Sequence, residues 1–181
     1  VCREPLYDPA QRTFTFAHLD PEYLFPTGTM QCAGGSYDWL ERLLRPEAAE
    51  PIYAELEATA ATAPVGANGL LFLPYLLGER SPHWNPHARG AFVGLTMAHG
   101  RGEMARAVLE GVALNLRIIL DAFREQGAPV AALRVIGGGA RSPLWRQILA
   151  DALGVGLLRP RLLVEATSLG AAIAGGVGSG L

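Results

Sequence analysis

The sequence contains no lysine, and all 15 of its basic residues are arginine. That absence excludes a phosphate-loop lysine, a Schiff-base lysine and a lysine general base from this chain's chemistry. Cysteine is scarce as well. Cys2 and Cys32 are too few for a disulfide framework and lack the paired spacing of a zinc site. Reduced, buried thiols in a cytoplasmic protein are the expectation. Long hydrophobic runs are missing too. Arg117 or glycines interrupt the longest candidates before they reach membrane-spanning length, and Arg3, Glu4 and Asp8 break the start where a signal peptide needs an apolar core. Charge of one sign is not in excess. A net charge of −2 argues against a nucleic-acid surface and a basic membrane patch, so neither partner is expected. Finally, the opening "VCREPLYD" has no Met and already has the pattern of a strand, so the chain reads as a fragment.

What is present is a chain of 181 residues, half of them hydrophobic, enough for one domain with a real core. Thr13 to His18 alternates with the period of a half-buried strand. With residues 1–7 before it and "DPAQR" between, an antiparallel hairpin is expected, and Tyr23 to Pro26 is a candidate third strand. "CAGGSYDWLERLL" starts a helix after its two glycines, with Tyr37, Leu40 and Leu44 on one face. A second helix covers roughly Pro51 to Ala61, and a short strand lies near Leu70 to Leu73 in a loop-rich stretch. From Glu103 to Gln126, Glu103, Arg106, Glu110, Arg117, Asp121 and Arg124 recur at helical steps, predicting one solvated stripe on an otherwise apolar cylinder. Gly127 and Pro129 stop that helix. A strand (Ala132 to Ile136), a helix (Pro143 to Leu153), a strand (Gly156 to Arg159) and a small-residue helix (Thr167 to Gly175) follow, with Gly175 to Leu181 expected to fray. Strands first, then strand and helix in alternation, indicate an α/β fold on a mixed sheet.

The run "IGGGARSPLW" carries the sharpest local question. A strand, a glycine turn and a helix present backbone N–H groups to an anion or a nucleotide. Ser142 suits the N-cap and Pro143 the first helical position. The triplet Gly137, Gly138 and Gly139 lacks the G-x-G-x-x-G order of a dinucleotide fold, so a plain tight turn and a ligand on the main chain both remain open. Gly34 and Gly35 open another helix, with Asp38 about one turn in. His83 and His87 have metal-ligand spacing only on a helix, which Pro82 and Pro86 oppose. In the same loop, Glu79 and Arg80 are expected to hold each other or the backbone. Asn115, Trp39 and Trp145 read as core residues. No Ser-His-Asp set and no nucleophilic cysteine follow from local spacing.

Gly90, Phe92, Gly94 and Leu95, the seven residues from Thr96 to Gly102, then Glu103-Met104 and Ala107-Val108-Leu109-Glu110 resemble the second signature of the FGGY carbohydrate kinases. "GERSPHWNPHARG" before it, "GGGARSPLWRQILADALG" after it and the closing "EATSLGAAIAGG" are similar to the same family in the same order. The resemblance covers essentially the whole chain. Pro82-His83, Asn85-Pro86 and the run from Gly137 to Asp151 are most similar to the xylulokinase branch.

The resemblance implies an α/β, ribonuclease-H-like (actin-like ATPase) domain, its mixed sheet flanked by helices, spanning residues 1–181 as the C-terminal lobe of a two-lobed sugar kinase. It implies ATP and Mg²⁺ as cofactors, and a small sugar bound mainly by the other lobe. Gly137, Gly138, Gly139 and Ala140 then lie against the adenosine with Ser142 near the base. Gly34 and Asp38 match the family's other nucleotide-side positions, where related glycerol kinases carry an amide in place of Asp38. The catalytic aspartate and the phosphate loops are expected upstream of Val1, and no aspartate of this chain matches the catalytic position. The implied activity is ATP-dependent phosphorylation of D-xylulose to xylulose 5-phosphate. A gluconate or other polyol kinase, or a non-catalytic actin-like regulatory module, keeps most of the same features, and a homodimer is left open.

Overall fold

A computed structural model describes residues 1–47, 50–163 and 165–180. In chain order it contains β1 (Phe14–Ala17), β2 (Leu24–Thr27), α1 (Gly34–Leu44), α2 (Tyr53–Thr62), β3 (Leu71–Leu73), β4 (Ala91–Val93), α3 (Arg101–Glu125), β5 (Ala132–Arg134), α4 (Pro143–Leu153), β6 (Gly156–Leu158) and α5 (Ala166–Gly178). Single 3-10 turns sit at Ala67–Gly69 and Gly138–Arg141.

Parallel and antiparallel pairing both occur among the described residues, in three separate two-stranded ladders. β1 pairs antiparallel with β2, Phe14 opposite Thr27. β3 pairs antiparallel with β4, Leu71 opposite Val93. β5 and β6 run parallel, Ala132 opposite Gly156, with α4 as the crossover between them.

The hairpin partner of β1 is therefore β2, and residues 1–7 form no strand. Cys2 alone bridges Leu24, donating at 3.0 Å and accepting at 2.7 Å. The reason lies in the Asp8 side chain. Its carboxylate accepts from the Arg12 N–H at 2.7 Å, the Ala10 N–H at 3.3 Å and the Arg12 guanidinium at 3.0 Å. A turn closed this way by its own aspartate competes with a strand ladder and leads residues 1–7 away from β1.

α3 is the central element, because its apolar faces meet both core clusters. On one side Leu109, Val112 and Leu120 pack with Trp145, Ile148, Leu149 and Leu153 of α4. On the other, Val108 packs with Leu40 of α1, Leu56 of α2 and Phe72 of β3. Gly111 lets α3 approach β3 this closely, since a Cβ there would stand 2.2 Å from the Phe72 carbonyl oxygen.

The polar stripe of α3 is less solvated than its spacing predicts. Arg106 is buried, paired with Glu110 at 2.7 Å and donating to the Ala63 carbonyl at 3.0 Å. Arg117 and Arg124 both bind Asp121 and reach across to the Ala152 and Leu153 carbonyls, at 2.9 and 3.0 Å. They thereby satisfy carbonyls that the last turn of α4 leaves unpaired. α3 itself ends in a left-handed glycine, Gly127 at φ +80°, with Ala128 N–H bonded to the Phe123 carbonyl at 3.0 Å.

α5 extends three residues beyond the expected Gly175, to Gly178. None of its residues is buried, although Leu169, Ile173 and Val177 fall four apart along one side of it.

Candidate functional site

Beyond β5 the chain reaches the glycine triplet, and each glycine has a different reason to be one. Gly137 sits at φ +88°, where a side chain is strained. Gly139 faces the Trp145 ring, 2.6 Å from where a Cβ would stand. Gly138 has neither constraint, because a Cβ there would meet nothing within 4 Å. Its bareness leaves main chain open to whatever occupies the space beside it.

The turn Gly138–Arg141 then carries the chain into α4. Ala140 is buried, and its carbonyl accepts from the Arg146 guanidinium at 2.6 Å. Ser142 caps α4 by accepting from the Trp145 N–H at 2.9 Å, with Pro143 as the first helical residue. The Ser142 hydroxyl donates in turn to Glu57 Oε1 at 2.7 Å, which ties the start of α4 to α2.

The start of α1 faces this same corner, and between them lies a cavity of about 550 Å³. Five of the seven residues that the sequence singles out line it: Gly34, Asp38, Gly138, Gly139 and Ser142. Residues about a hundred positions apart thus meet in one cleft. Gly137 and Ala140 do not face it, the first shaping the backbone and the second turned to the core. The α1 helix begins on Gly34 itself, so the glycine pair forms its first two residues instead of preceding it.

The remaining walls come from side chains that the sequence reading did not assign to the site. Tyr37 stacks with Tyr53 at 6.3 Å between ring centroids and tilts against Trp145 at 6.2 Å, which builds an aromatic wall. Glu57 and Arg141 complete the polar part of the lining. Tyr37 was legible as a neighbour of Asp38 on α1. Glu57 had no local signal, because only the packing of α2 beside α4 brings it here.

Of the charges at the site, Asp38 is doubly partnered. Asp38 accepts from the Tyr53 hydroxyl at 2.5 Å and pairs with Arg42 at 2.9 Å. That hydrogen bond to Asp38 raises the Tyr53 pKa, and burial helped by the Glu57 charge raises that of Tyr37. Both phenols therefore stay protonated at neutral pH. The Tyr37 hydroxyl and the Trp145 indole N–H are buried without a hydrogen-bond partner among the described residues. Flat aromatic walls, two carboxylates and one arginine suit a planar, N–H-bearing ring better than a phosphate group.

Outside the cavity the candidates resolve into structure. Glu79 is buried and accepts from the Gln31 and Arg80 N–H groups and from Asn115 Nδ2, at 2.6, 2.8 and 3.0 Å. The Arg80 guanidinium instead lies over the Phe14 and Trp84 rings. His83 meets the Tyr75 ring edge-on at 5.6 Å. No group of three or more His, Cys, Asp or Glu side chains converges among the described residues. The aspartates beyond Asp38 are engaged as well. Asp8 holds Arg12, Asp121 holds two arginines, Asp20 accepts from the Glu22 N–H, and Asp151 accepts from Gln147. No helix is long and apolar enough to cross a membrane among the described residues.

Comparison with known proteins places residues 3–179 in the pattern of the FGGY family of carbohydrate kinases, C-terminal domain. A xylulose kinase of Staphylococcus epidermidis is 37% identical over 165 residues, covering 91% of this chain and 32% of the relative. A gluconokinase of Bacillus licheniformis is 46% identical over 124 residues, covering 68% of this chain and 24% of the relative. Among solved structures, the xylulose kinase of Rhodospirillum rubrum superposes with a TM-score of 0.78 at 39% identity, over 93% of this chain and 34% of that one. The chain thus spans about a third, or less, of the length of these relatives.

Proposed function

Because the chain belongs to the FGGY family of carbohydrate kinases, as a C-terminal domain of it, we propose that its protein transfers the γ-phosphoryl group of ATP to a small open-chain sugar. D-xylulose is the first choice, giving xylulose 5-phosphate. The observation that carries the nucleotide half of this reading is the aromatic-walled cavity where the starts of α1 and α4 meet. Similarity to proteins named xylulose kinase supports the sugar, and the gluconokinase match keeps gluconate as the second choice.

In this reading residues 1–181 form the nucleotide lobe. Gly138 brings main chain against the adenosine, with Gly34 and Gly139 on the same walls. Gly137 and Ala140 hold the turn in shape. Asp38 and Ser142 supply hydrogen-bond acceptors, and the Tyr37 and Trp145 rings exclude water from one side of the ligand. Mg²⁺ bound with the nucleotide would supply charge neutralisation at the phosphates. The base that takes the sugar hydroxyl proton belongs to a part of the protein outside this chain, as does most of the sugar pocket. Positioning of the phosphates against the acceptor then supplies most of the rate. A supply of ATP and of free sugar puts the protein in the cytoplasm.

A coupled ADP assay on the complete protein tests the reading with xylulose, ribulose, gluconate, glycerol and fuculose. The expected result is the highest kcat/KM on xylulose. A highest value on gluconate or glycerol would replace the sugar and keep the kinase. No turnover on any of them would remove the kinase reading and leave an actin-like regulatory module.

A further inference from the structure

Glu57 stands where α2 meets the start of α4, and its two carboxylate oxygens are used unequally. Oε1 accepts from the Ser142 hydroxyl at 2.7 Å and lies 3.4 Å from the Leu144 N–H. Oε2 has no partner among the described residues, and Glu57 lines the cavity. The Ser142 hydroxyl already donates its one hydrogen bond to Glu57 and accepts from the Trp145 N–H at 2.9 Å. A hydroxyl has one donor and two lone pairs, so only an acceptor site is left on Ser142. These two groups, unlike the Arg141 guanidinium, the Tyr37 hydroxyl and the Trp145 indole N–H elsewhere in the lining, therefore present the cavity with acceptors and no donor.

An anion at this point also repels phosphate, so a ligand with a ring and a phosphate tail turns its ring towards Glu57. Tyr37, Tyr53 and Trp145 supply the faces against which a flat ring packs.

We infer that Glu57 is a specificity-determining residue of the nucleotide site, which selects a purine whose edge carries an exocyclic amino group and rejects one that carries a carbonyl there. Glu57 does so in two ways. Its free oxygen accepts from the amino group directly, and its bonded oxygen keeps the Ser142 hydroxyl turned so that it accepts as well. This inference rests on the nucleotide reading of the cavity given above and assigns its base selectivity.

The experiment compares ATP with ITP, in which a carbonyl replaces the 6-amino group of adenine, on the complete protein. Nucleotide binding is followed by calorimetry beside sugar-dependent kcat/KM. In Glu57→Gln the side-chain carbonyl still accepts from Ser142, while an amide NH₂ replaces the free acceptor. The expected result is a drop of about tenfold in the ATP-over-ITP preference, with the melting temperature nearly unchanged. Ser142→Ala removes the second acceptor while keeping the Glu57 carboxylate, which loses its hydrogen bond from the hydroxyl, and is expected to lower the same preference with some loss of stability from the lost cap. Equal losses for ATP and ITP in both variants, or an unchanged ratio in both, would overturn the inference, because a purely structural link between α2 and α4 does not distinguish the bases. A wild-type protein that prefers ATP in binding but phosphorylates no sugar would overturn the kinase reading alone. A wild-type protein that binds neither nucleotide would overturn both.

Discussion

The Trp145 ring occupies the place where a side chain on Gly139 would begin, 2.6 Å from that missing Cβ, while Gly138 next to it faces open space. Two adjacent glycines in one loop therefore answer to different forces, one to packing within the chain and the other to the cavity.

Mutation separates them. Gly139→Ala pushes on a buried indole and is expected to cost about 1–3 kcal/mol of stability, a fall of several degrees in Tm. Gly138→Val is expected to leave Tm within about 2 °C while raising the KM for ATP at least about tenfold, roughly 1.4 kcal/mol of lost binding. Thermal melts beside ATP kinetics on the complete protein check both. Unchanged ATP kinetics in a folded Gly138→Val protein would return the loop to an ordinary turn.

Gly111 makes a harsher prediction. Its α-carbon lies so close to the Phe72 carbonyl that a methyl group would stand 2.2 Å from the oxygen. Gly111→Ala must separate α3 from β3 and is expected to cost about 3 kcal/mol, read as a lower midpoint in urea. A midpoint equal to wild type would show that the two elements slide apart freely.

Asp8 gives a pH signature. Hydrogen bonds from Arg12 hold its carboxyl below the ordinary aspartate value of 3.8 despite the opposing cost of burial. A depressed folded value stabilises the native state above the unfolded pKa, and that contribution is lost as pH falls through the folded one. Asp8→Asn is therefore expected to melt lower than wild type at pH 7, by about 1.5–3 kcal/mol. The gap is expected to close as the pH drops below 3.8. A gap that stays constant from pH 7 to pH 2 would mean that the charge of Asp8 does not matter to the turn.

The residues of this chain by themselves are expected not to phosphorylate xylulose. Each of their aspartates is bonded within the fold, and the other carboxylate lining the cavity, Glu57, already accepts from Ser142. Sugar-dependent release of ADP by the purified 181-residue chain would contradict this.

What could be read from the sequence was what depends on neighbours along the chain. α4 begins and ends where Ser142, Pro143 and Gly154 put it, because a cap, a first-turn proline and a left-handed glycine act within a few residues. The meeting of Gly34 and Asp38 with Gly138 and Ser142 was legible only through family resemblance, since no local rule links positions a hundred residues apart. The hairpin was assigned the wrong partner because the alternation of residues 13–18 specifies a strand but not what pairs with it. The Asp8 side chain made that choice. β4 went unread because Gly90 and Gly94 flank its three residues and give the stretch the composition of a loop. Glu57 could not be found at all, being set by how α2 docks.

α5 is made of small and apolar residues, four of them glycine within the helical span, and none of its side chains is buried. A glycine costs a helix about 1 kcal/mol relative to alanine, and thirteen residues are close to the minimum length for a helix in water. The amide protons of α5 consequently serve as a gauge of contact. Left bare, they trade with deuterium at nearly the pace of an unstructured peptide, and each surface that comes to rest on Leu169, Ile173 and Val177 slows that clock.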